Sequence, residues 1–268
     1  MHHLRLALLA LATLAAGCAD DLSDAGGLAA SPDVANGTNS SYARLLTVGD
    51  FLYAVNESEL VTFSALDPGS LDEVDRQDIG FAIETLYHLD GNLFVGSQTA
   101  MYTYTIDAGG IPQRRGVFDY DFEVVGAFVQ PCDPVVAADD VAYITLYTES
   151  EVRGACGGGF TQPVERLVVA DISDLDRPTL IEARDVPTPR GLAVSGDLLF
   201  VCNEASGFTV YDVTDRRAPV ELRRYPDDPA YDVIAADGRL IVVGAGSLTQ
   251  YDYTPAGAVT KLGTIILP

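Results

Sequence analysis

Paired aspartates are the residues of this chain whose types and spacing come nearest to a metal-holding or reactive group. Asp171 and Asp174 stand three apart in "RLVVADISDLDRP" (residues 166–178), and Asp212 and Asp215 do the same in "FTVYDVTDRRAP" (residues 208–219). Two carboxylates at this spacing could contribute to a Ca²⁺ site, but Ca²⁺ takes about six to eight oxygens and one pair supplies too few. The other reading needs no reaction. Asp, Ser and Thr side chains bond nearby backbone N–H groups and fix turns. Pro178 or Pro219 then stops helical continuation and opens an edge strand. Because this accounts for every repeated position, the aspartates are expected to hold bends.

Other groups with chemical potential are few. Beyond the leader the chain has one histidine, His88. It falls inside an apolar segment, as a core or channel histidine would, so histidine triads and multi-histidine metal sites are not expected. "GACGGGF" (residues 154–160) is glycine-rich but follows no apolar strand and opens no helix, so it does not read as a phosphate loop. The spacings of Cys132, Cys156 and Cys202 match no zinc pattern. Outside the cytoplasm a pair of them is expected to oxidise. Cys202 follows "LFV" on a strand and is expected to be a buried thiol.

These residues sit in a repeating frame. A Gly/Asp turn followed by an alternating apolar strand recurs as "VGDFLYA", "LDGNLFV", "ADDVAYI", "SGDLLFV" and "ADGRLIV", a hairpin signal. Anchoring on Leu52, Leu93, Ala142, Leu199 and Leu240 gives gaps of 41, 49, 57 and 41 residues. Asp171 and Asp212 have counterparts at Asp252, and at Ser64 and Thr105, where a hydroxyl stands in. Insertions at roughly residues 115–131 and 148–163 account for the longer gaps, leaving a unit of about 41 residues five times over. Each unit holds four short strand-like segments, such as residues 191–194, 198–203, 208–212 and 220–225. Nothing past the leader reads as an amphipathic helix. A lone four-stranded sheet cannot bury both faces, whereas radial stacking can. The expectation is an all-β fold over residues 42–268: a β-propeller of five blades, each of four antiparallel strands.

"RLVVADISDLDRPTLI" and "FTVYDVTDRRAPVEL" resemble the LVIVD repeat, a bacterial propeller-forming family found in secreted proteins and lipoproteins. The resemblance is strongest over residues 133–228, fair over 231–267 and weak over 42–120, where the terminal element reads "SALDPGSL" and "TIDAGGIP". There is no Trp, so the WD signature is absent. The resemblance implies a fold far more than an activity. A "CDP" start at Cys132 with a "CGG" insertion at Cys156 is similar to LVIVD lipoproteins and implies a Cys132–Cys156 disulfide. Such a loop would stabilise by about 3 kcal/mol on the chain-entropy estimate.

The chain opens "MHHLRLALLALATLAAGC". Arg5, the apolar run from Leu6 to Leu14 and the small residues Ala15-Ala16-Gly17 read as a secretory signal over residues 1–17, too short to span a bilayer. Cys18 after the small residues resembles the lipobox of bacterial lipoproteins. That implies a mature N-terminus at an acylated, palmitate-bearing Cys18, although Ala15 stands where Leu is commonest. An ordinary secretory signal is the alternative. Two or three acyl chains anchor a protein stably, whereas one binds marginally. Residues 18–41 then form a lipidated flexible tether rich in Gly, Ser, Ala, Asn and Asp. The location implied is extracytoplasmic, anchored in a bacterial membrane and facing the periplasm or the cell surface.

A formal charge of −23 with a single lysine, Lys261, argues against a nucleic-acid partner, which needs clustered cations. It also suits a soluble, self-repelling monomer. In a propeller the innermost strands begin at one mouth of the central channel. Counting back from the anchors places Arg44, Glu84, Asp133, Arg190, Tyr231 and Asp232 there. Such a ring is either a polar-ligand or cation site, or a set of exposed ion pairs worth little. The function that follows is a non-catalytic binding or interaction module of the cell envelope, its partner an envelope protein or ligand, with no cofactor required. The alternative is a hydrolase or lyase working through Glu84, Asp133 and Asp232, with Ca²⁺ as a possible cofactor. The insertion at 148–163 is either a lid over one face or decoration.

Overall fold

The computed structural model describes residues 44–67, 69–80, 82–120, 124, 134–148 and 164–267. The leader, Cys18, the tether, Cys132, Asp133, Cys156 and insertion residues 149–163 lie outside the described residues.

Among the described residues twenty strands form five antiparallel sheets, each of four consecutive strands. Blade 1 holds β1 (Leu45–Val48), β2 (Phe51–Val55), β3 (Glu59–Ser64) and β4 (Asp72–Asp78). Blade 2 holds β5 (Ile83–Leu89), β6 (Asn92–Ser97), β7 (Ala100–Ile106) and β8 (Pro112–Asp119). Blade 3 holds β9 (Val135–Ala138), β10 (Val141–Tyr147), β11 (Glu165–Asp171) and β12 (Thr179–Asp185). Blade 4 holds β13 (Leu192–Ser195), β14 (Leu198–Cys202), β15 (Phe208–Asp212) and β16 (Val220–Tyr225). Blade 5 holds β17 (Asp232–Ala236), β18 (Arg239–Gly244), β19 (Ser247–Tyr253) and β20 (Val259–Ile266). The innermost strands β1, β5, β9, β13 and β17 contact one another in chain order. The protein is an all-β, five-bladed propeller. Among the described residues no blade borrows a strand from another.

Local chemistry explains the elements. The Asp90-Gly91 and Asp237-Gly238 hairpins have positive φ at both residues (48° and 76°; 49° and 76°). That is the type I′ geometry whose twist matches the flanking strands. Burial then falls from the centre outward. β10 and β14 are buried on both faces, while β4 and β16 are charged and mostly exposed, which blunts these edges against further pairing. A register shift interrupts the third and fourth strands of every blade at Thr62/Phe63, Tyr102/Tyr104, Val169/Ala170, Val210/Tyr211 and Gln250/Tyr251. It bends the outer strand away at the same place each time.

The repeated aspartates hold bends, as their spacing predicts. Asp171 Oδ1 accepts from the Ser173 N–H (2.9 Å) and hydroxyl (2.6 Å), and Asp174 accepts from the Asp176 N–H (3.0 Å). In blade 4, Asp212 accepts from the Thr214 N–H (2.8 Å) and Asp215 from the Arg217 N–H (3.0 Å). The weaker repeats improvise. Thr105 turns to Asn92, and Asp107 takes over by accepting from the Gly109 and Ile111 N–H groups. Asp252 pairs with Arg239 at 3.0 Å, leaving Thr254 to accept from the Ala258 N–H.

The apolar core lies in the seams between blades. Each of the first four seams also carries a latch, in which a hydroxyl of one blade donates to a carbonyl in the outer turn of the next. Tyr53 donates to Gly110 (2.8 Å), Thr103 to Leu175 (2.7 Å), Tyr143 to Arg216 (2.8 Å) and Tyr225 to Gly257 (3.3 Å). Burial, helped by Asp107, pushes the Tyr53 phenol up to about 12, so it stays a donor. Two details refine the sequence reading. The first insertion begins after β8, because residues 115–119 belong to that strand. The second is pinched at its base, where the Thr148 N–H donates to Val164 O (3.0 Å) and the Val164 N–H to Thr148 Oγ1 (2.8 Å).

Removing a latch hydroxyl leaves a buried carbonyl unsatisfied, at a cost of about 1–3 kcal/mol. Tyr53→Phe and Tyr143→Phe should each lower Tm by several degrees in calorimetry, without changing the circular dichroism of the native state. Asp171 is held down to about 2 by hydrogen bonds from Ser173 and Arg217, against an ordinary 3.8. Its folded pKa is depressed, so the stability it contributes is complete above about pH 4. That contribution is lost as pH falls toward 2. Asp171→Asn should therefore lower stability at pH 7 by about 1 kcal/mol, or Tm by about 2–4 °C, and the difference from wild type should shrink in acid.

Candidate functional site

The mouth is the face where the innermost strands begin and where the β2–β3, β6–β7, β14–β15 and β18–β19 connections gather. Its backbone is fixed by hydrogen bonds between neighbouring segments. The Val55 N–H donates to Arg44 O (3.0 Å), the Ile83 N–H to Glu57 O (3.1 Å) and the Gln98 N–H to Ala82 O (3.1 Å). Among the described residues six non-glycine residues have positive φ. Asp90, Asp139 and Asp237 are hairpin residues, where aspartate tolerates that conformation. The other three, Ala82 (52°), Thr188 (40°) and Glu204 (50°), all lie on the mouth side. Left-handed backbone costs such residues about 1–2 kcal/mol each, so surrounding contacts must impose it.

Two of the expected ring residues share a cavity. Arg44 and Glu84, with Glu57, Ala82, Ile83 and Gln98, line a space of about 280 Å³ between blades 1 and 2. Gln98 Nε2 donates to Glu84 Oε1 at 3.0 Å. Among the described residues Arg44 makes no ion pair, although two carboxylates line the same space. A guanidinium and two carboxylates thus line one open surface pocket, in which Arg44 and Glu57 are exposed, groups that can receive both signs of a polar ligand.

Arg190 behaves differently. Its guanidinium lies over the Tyr147 ring (3.9 Å to the centroid) and bonds Glu204 Oε2 at 2.9 Å, with 16% of its side chain exposed. Thr145 holds its carbonyl at 2.5 Å. A half-buried, stacked and paired arginine is largely spoken for by the fold. Tyr231 O accepts from the Gly191 N–H (2.9 Å), and the Asp232 carboxylate packs against the same glycine, where a Cβ would collide with it. Asp232 also bears on Cys202, the buried free thiol expected from sequence, whose pKa is raised by burial and then by Asp232. Asp133 lies outside the described residues. Among the described residues the mouth holds two clusters, one around Arg44 and Glu84 and one around Arg190, Tyr231 and Asp232.

Sequence reasoning missed Glu57, Gln98, Tyr147 and Glu204, which come from the ends and connections of second strands. Their signal was positional: each blade sends that connection to the same face. His88 lies near the opposite end of β5, where its Nε2 accepts from the Gly91 N–H at 3.1 Å and burial lowers its pKa. A further groove of about 430 Å³ between blades 4 and 5 is lined by Tyr225, Asp227, Asp228, Tyr251, Val259 and Lys261. There Lys261 and Tyr251 both bond Asp228, at 2.7 Å each. Phe208 stacks on Tyr225. That set is a satisfied seam contact.

The fold places the chain among β-propellers. No protein-family model matches it and no curated protein matches it in sequence. Solved structures do resemble it. A Lactobacillus plantarum protein determined as a structural-genomics target superposes with a TM-score of 0.56 at 14% identity, over 83% of this chain and 70% of that one. AztD of Citrobacter koseri gives 0.53 at 17% identity, over 86% and 62%. BamB of Moraxella catarrhalis gives 0.52 at 10% identity, over 81% and 57%. This chain therefore spans about three fifths of the latter two, and at these identities the likeness is one of fold.

Gly191→Ala should displace Asp232 and overpack the start of β13, costing about 1–3 kcal/mol. Thermal melts should show the loss, and the thiol of Cys202, protected in the wild type, should react faster with a maleimide. Unchanged Tm and reactivity would mean that the close approach of Asp232 to Gly191 is not maintained in solution.

Proposed function

We propose that this chain is an extracytoplasmic, lipid-anchored propeller of the LVIVD-repeat kind, acting as a non-catalytic binding module of the bacterial envelope. Its binding site is the mouth cavity of Arg44, Glu57, Glu84 and Gln98. One observation carries the reading: a guanidinium without an ion-pair partner among the described residues shares a surface pocket with two carboxylates. No ion pair ties these groups to one another among the described residues. Leaving them apart, on backbone held in an unfavourable conformation at Ala82, suits a site kept ready for a ligand. The leader and Cys18 support the location, and the recurrent Asp-held turns support the family resemblance. The matching ligand is small and polar and carries both an anionic and a cationic or hydrogen-bond-donating group.

The test is a thermal-shift series with amino acids, short peptides and amino sugars as probes. A binder present at about 100 times its Kd stabilises by about 2.7 kcal/mol. Wild type should shift with at least one probe class, Arg44→Ala and Glu84→Gln should lose the shift, and Arg190→Lys should keep it. If every variant responds as wild type does, the cavity is not the site. The same assay separates the hydrolase or lyase alternative. Melting that is indifferent to chelator and to added Ca²⁺ would remove support for a Ca²⁺-dependent enzyme.

A further inference from the structure

In three blades a tyrosine of the third strand pairs with the anchor residue of the second. Tyr104 pairs with Leu93 in blade 2, Tyr211 with Leu199 in blade 4 and Tyr251 with Leu240 in blade 5. In blade 5 the hydroxyl has an ionised acceptor. Tyr251 donates to Asp228 Oδ2 (2.7 Å), and Lys261, its ladder partner on the fourth strand, donates to both oxygens of the same carboxylate (2.7 and 2.8 Å). In blade 4 the ladder partner is itself a carboxylate, and burial and then Glu221 raise the Tyr211 phenol.

Blade 2 keeps the donors of this arrangement and lacks the carboxylate. Arg114 pairs with Tyr104 as Lys261 does with Tyr251. Asp228 stands twelve residues before Leu240, and twelve before Leu93 is Phe81, which lies outside the described residues. Gly80 takes the place of Asp227. Tyr104 is fully buried and its hydroxyl has no hydrogen-bond partner. Burial pushes that phenol up to about 12 and so keeps it a donor; the other groups that bear on it are Arg114 and Tyr102. No carboxylate is among them, whereas Asp228 and Asp227 both act on Tyr251.

Tyr102 completes the set. Arg114 lies over its ring, 4.7 Å from the centroid, and a side chain at Gly80 would meet its hydroxyl at 2.9 Å. Among the described residues neither Arg114 nor the Tyr102 hydroxyl makes a hydrogen bond or ion pair. Two phenols and a guanidinium thus gather without the carboxylate that blades 4 and 5 supply. An unsatisfied buried hydroxyl is costly, and hydrogen bonds to an ionised acceptor are the strong ones. In blade 5 the same frame borders the groove of about 430 Å³. In blade 2 Tyr102 is half-buried and Arg114 exposed. The cluster is therefore reached from the rim once Arg114 turns off the Tyr102 ring, a rotamer change that an exposed side chain makes readily.

We infer that the seam between blades 1 and 2 binds a carboxylate from outside the chain, held by Arg114 and the hydroxyls of Tyr102 and Tyr104 in the place that Asp228 fills in blade 5. The ligand class is a small organic acid, because the group at the equivalent position within the chain is itself a carboxylate. The two phenols add donors that a bare surface cation lacks. None of the three residues lines the mouth cavity, so this site is separate from the mouth and independent of what binds there.

The test uses the full-length chain in detergent, on an Arg44→Ala background that removes the mouth as a carboxylate receptor. Sodium acetate, succinate and phosphate are compared with chloride at equal ionic strength. Acetate and succinate should raise Tm saturably and should move the Arg114 Nε–Hε signal in heteronuclear NMR spectra, which Arg114→Gln identifies by its loss. Arg114→Gln and Tyr104→Phe should each raise the half-saturating concentration about tenfold or more, as expected for a lost hydrogen bond to a charged group. Phosphate should act more weakly than succinate. In chloride, Tyr104→Phe should melt no lower than its parent, because the hydroxyl it removes has no partner. A response no greater than that to chloride, variants that respond as the parent does, or phosphate acting as strongly as succinate overturns the inference. So does a Tyr104→Phe protein that melts lower in chloride, since the hydroxyl would then already be satisfied without a carboxylate.

Discussion

A four-stranded sheet of this size has two apolar faces and cannot bury both alone. Every other feature of the molecule follows from that constraint. Burying a large side chain contributes about 1.5–3 kcal/mol, and here such side chains are buried almost wholly by neighbouring blades. The apolar clusters therefore run across the seams. Blade 3, flanked on both sides, has second and third strands buried almost throughout. The terminal blades, each with one neighbour packed in this way, keep half-buried Leu52 and Ile241 where the inner blades have fully buried residues.

The recurrent aspartates serve the same end at one remove. Asp171 and Asp212 fix the turn between third and fourth strands, and the carbonyls of those turns, at Leu175 and Arg216, accept the latch from the preceding blade. A turn allowed to fray would move the acceptor away from its donor. The charged residues of the phrase extend the contact: Arg115 pairs with Asp176 at 2.7 Å, Arg217 with Asp171 at 2.6 Å and Arg216 with Asp139 at 2.8 Å, each between adjacent blades. Exposed pairs of this kind contribute little singly. Their value is in register, since each arginine can reach its acid only when neighbouring turns stand at the right height.

This is why the fold was legible and the site much less so. A repeat written in apolar alternation, Gly/Asp hairpins and Asp-held turns specifies each blade locally, and the strands of blade 4 fall within a residue of their sequence-derived limits. The positions of Arg44 and Glu84 at one mouth also followed from counting back along the first strands. What counting could not supply was the contribution of second-strand connections, because Glu57, Gln98 and Glu204 sit in turns whose lengths differ from blade to blade. Nor could it distinguish Arg44 from Arg190. The stack on Tyr147 and the bond to Glu204 depend on three segments meeting in space, and no linear pattern announces that.

The difference between those two arginines decides what the mouth can do. A ligand carboxylate approaching Arg190 must break a pair with Glu204 that is already largely withdrawn from water, and it would leave Glu204 behind in poor surroundings. Approaching Arg44, it has no such ion pair to break among the described residues. The same argument applies in reverse to a ligand amine, for which Glu57 and Glu84 are available within the cavity. A strongly acidic protein repels anions at long range, so an isolated cation such as Arg44 gains selectivity only where nearby geometry lets one ligand satisfy both signs at once. Under the reading proposed above, recognition at this mouth takes a ligand that spans Arg44 and a carboxylate together.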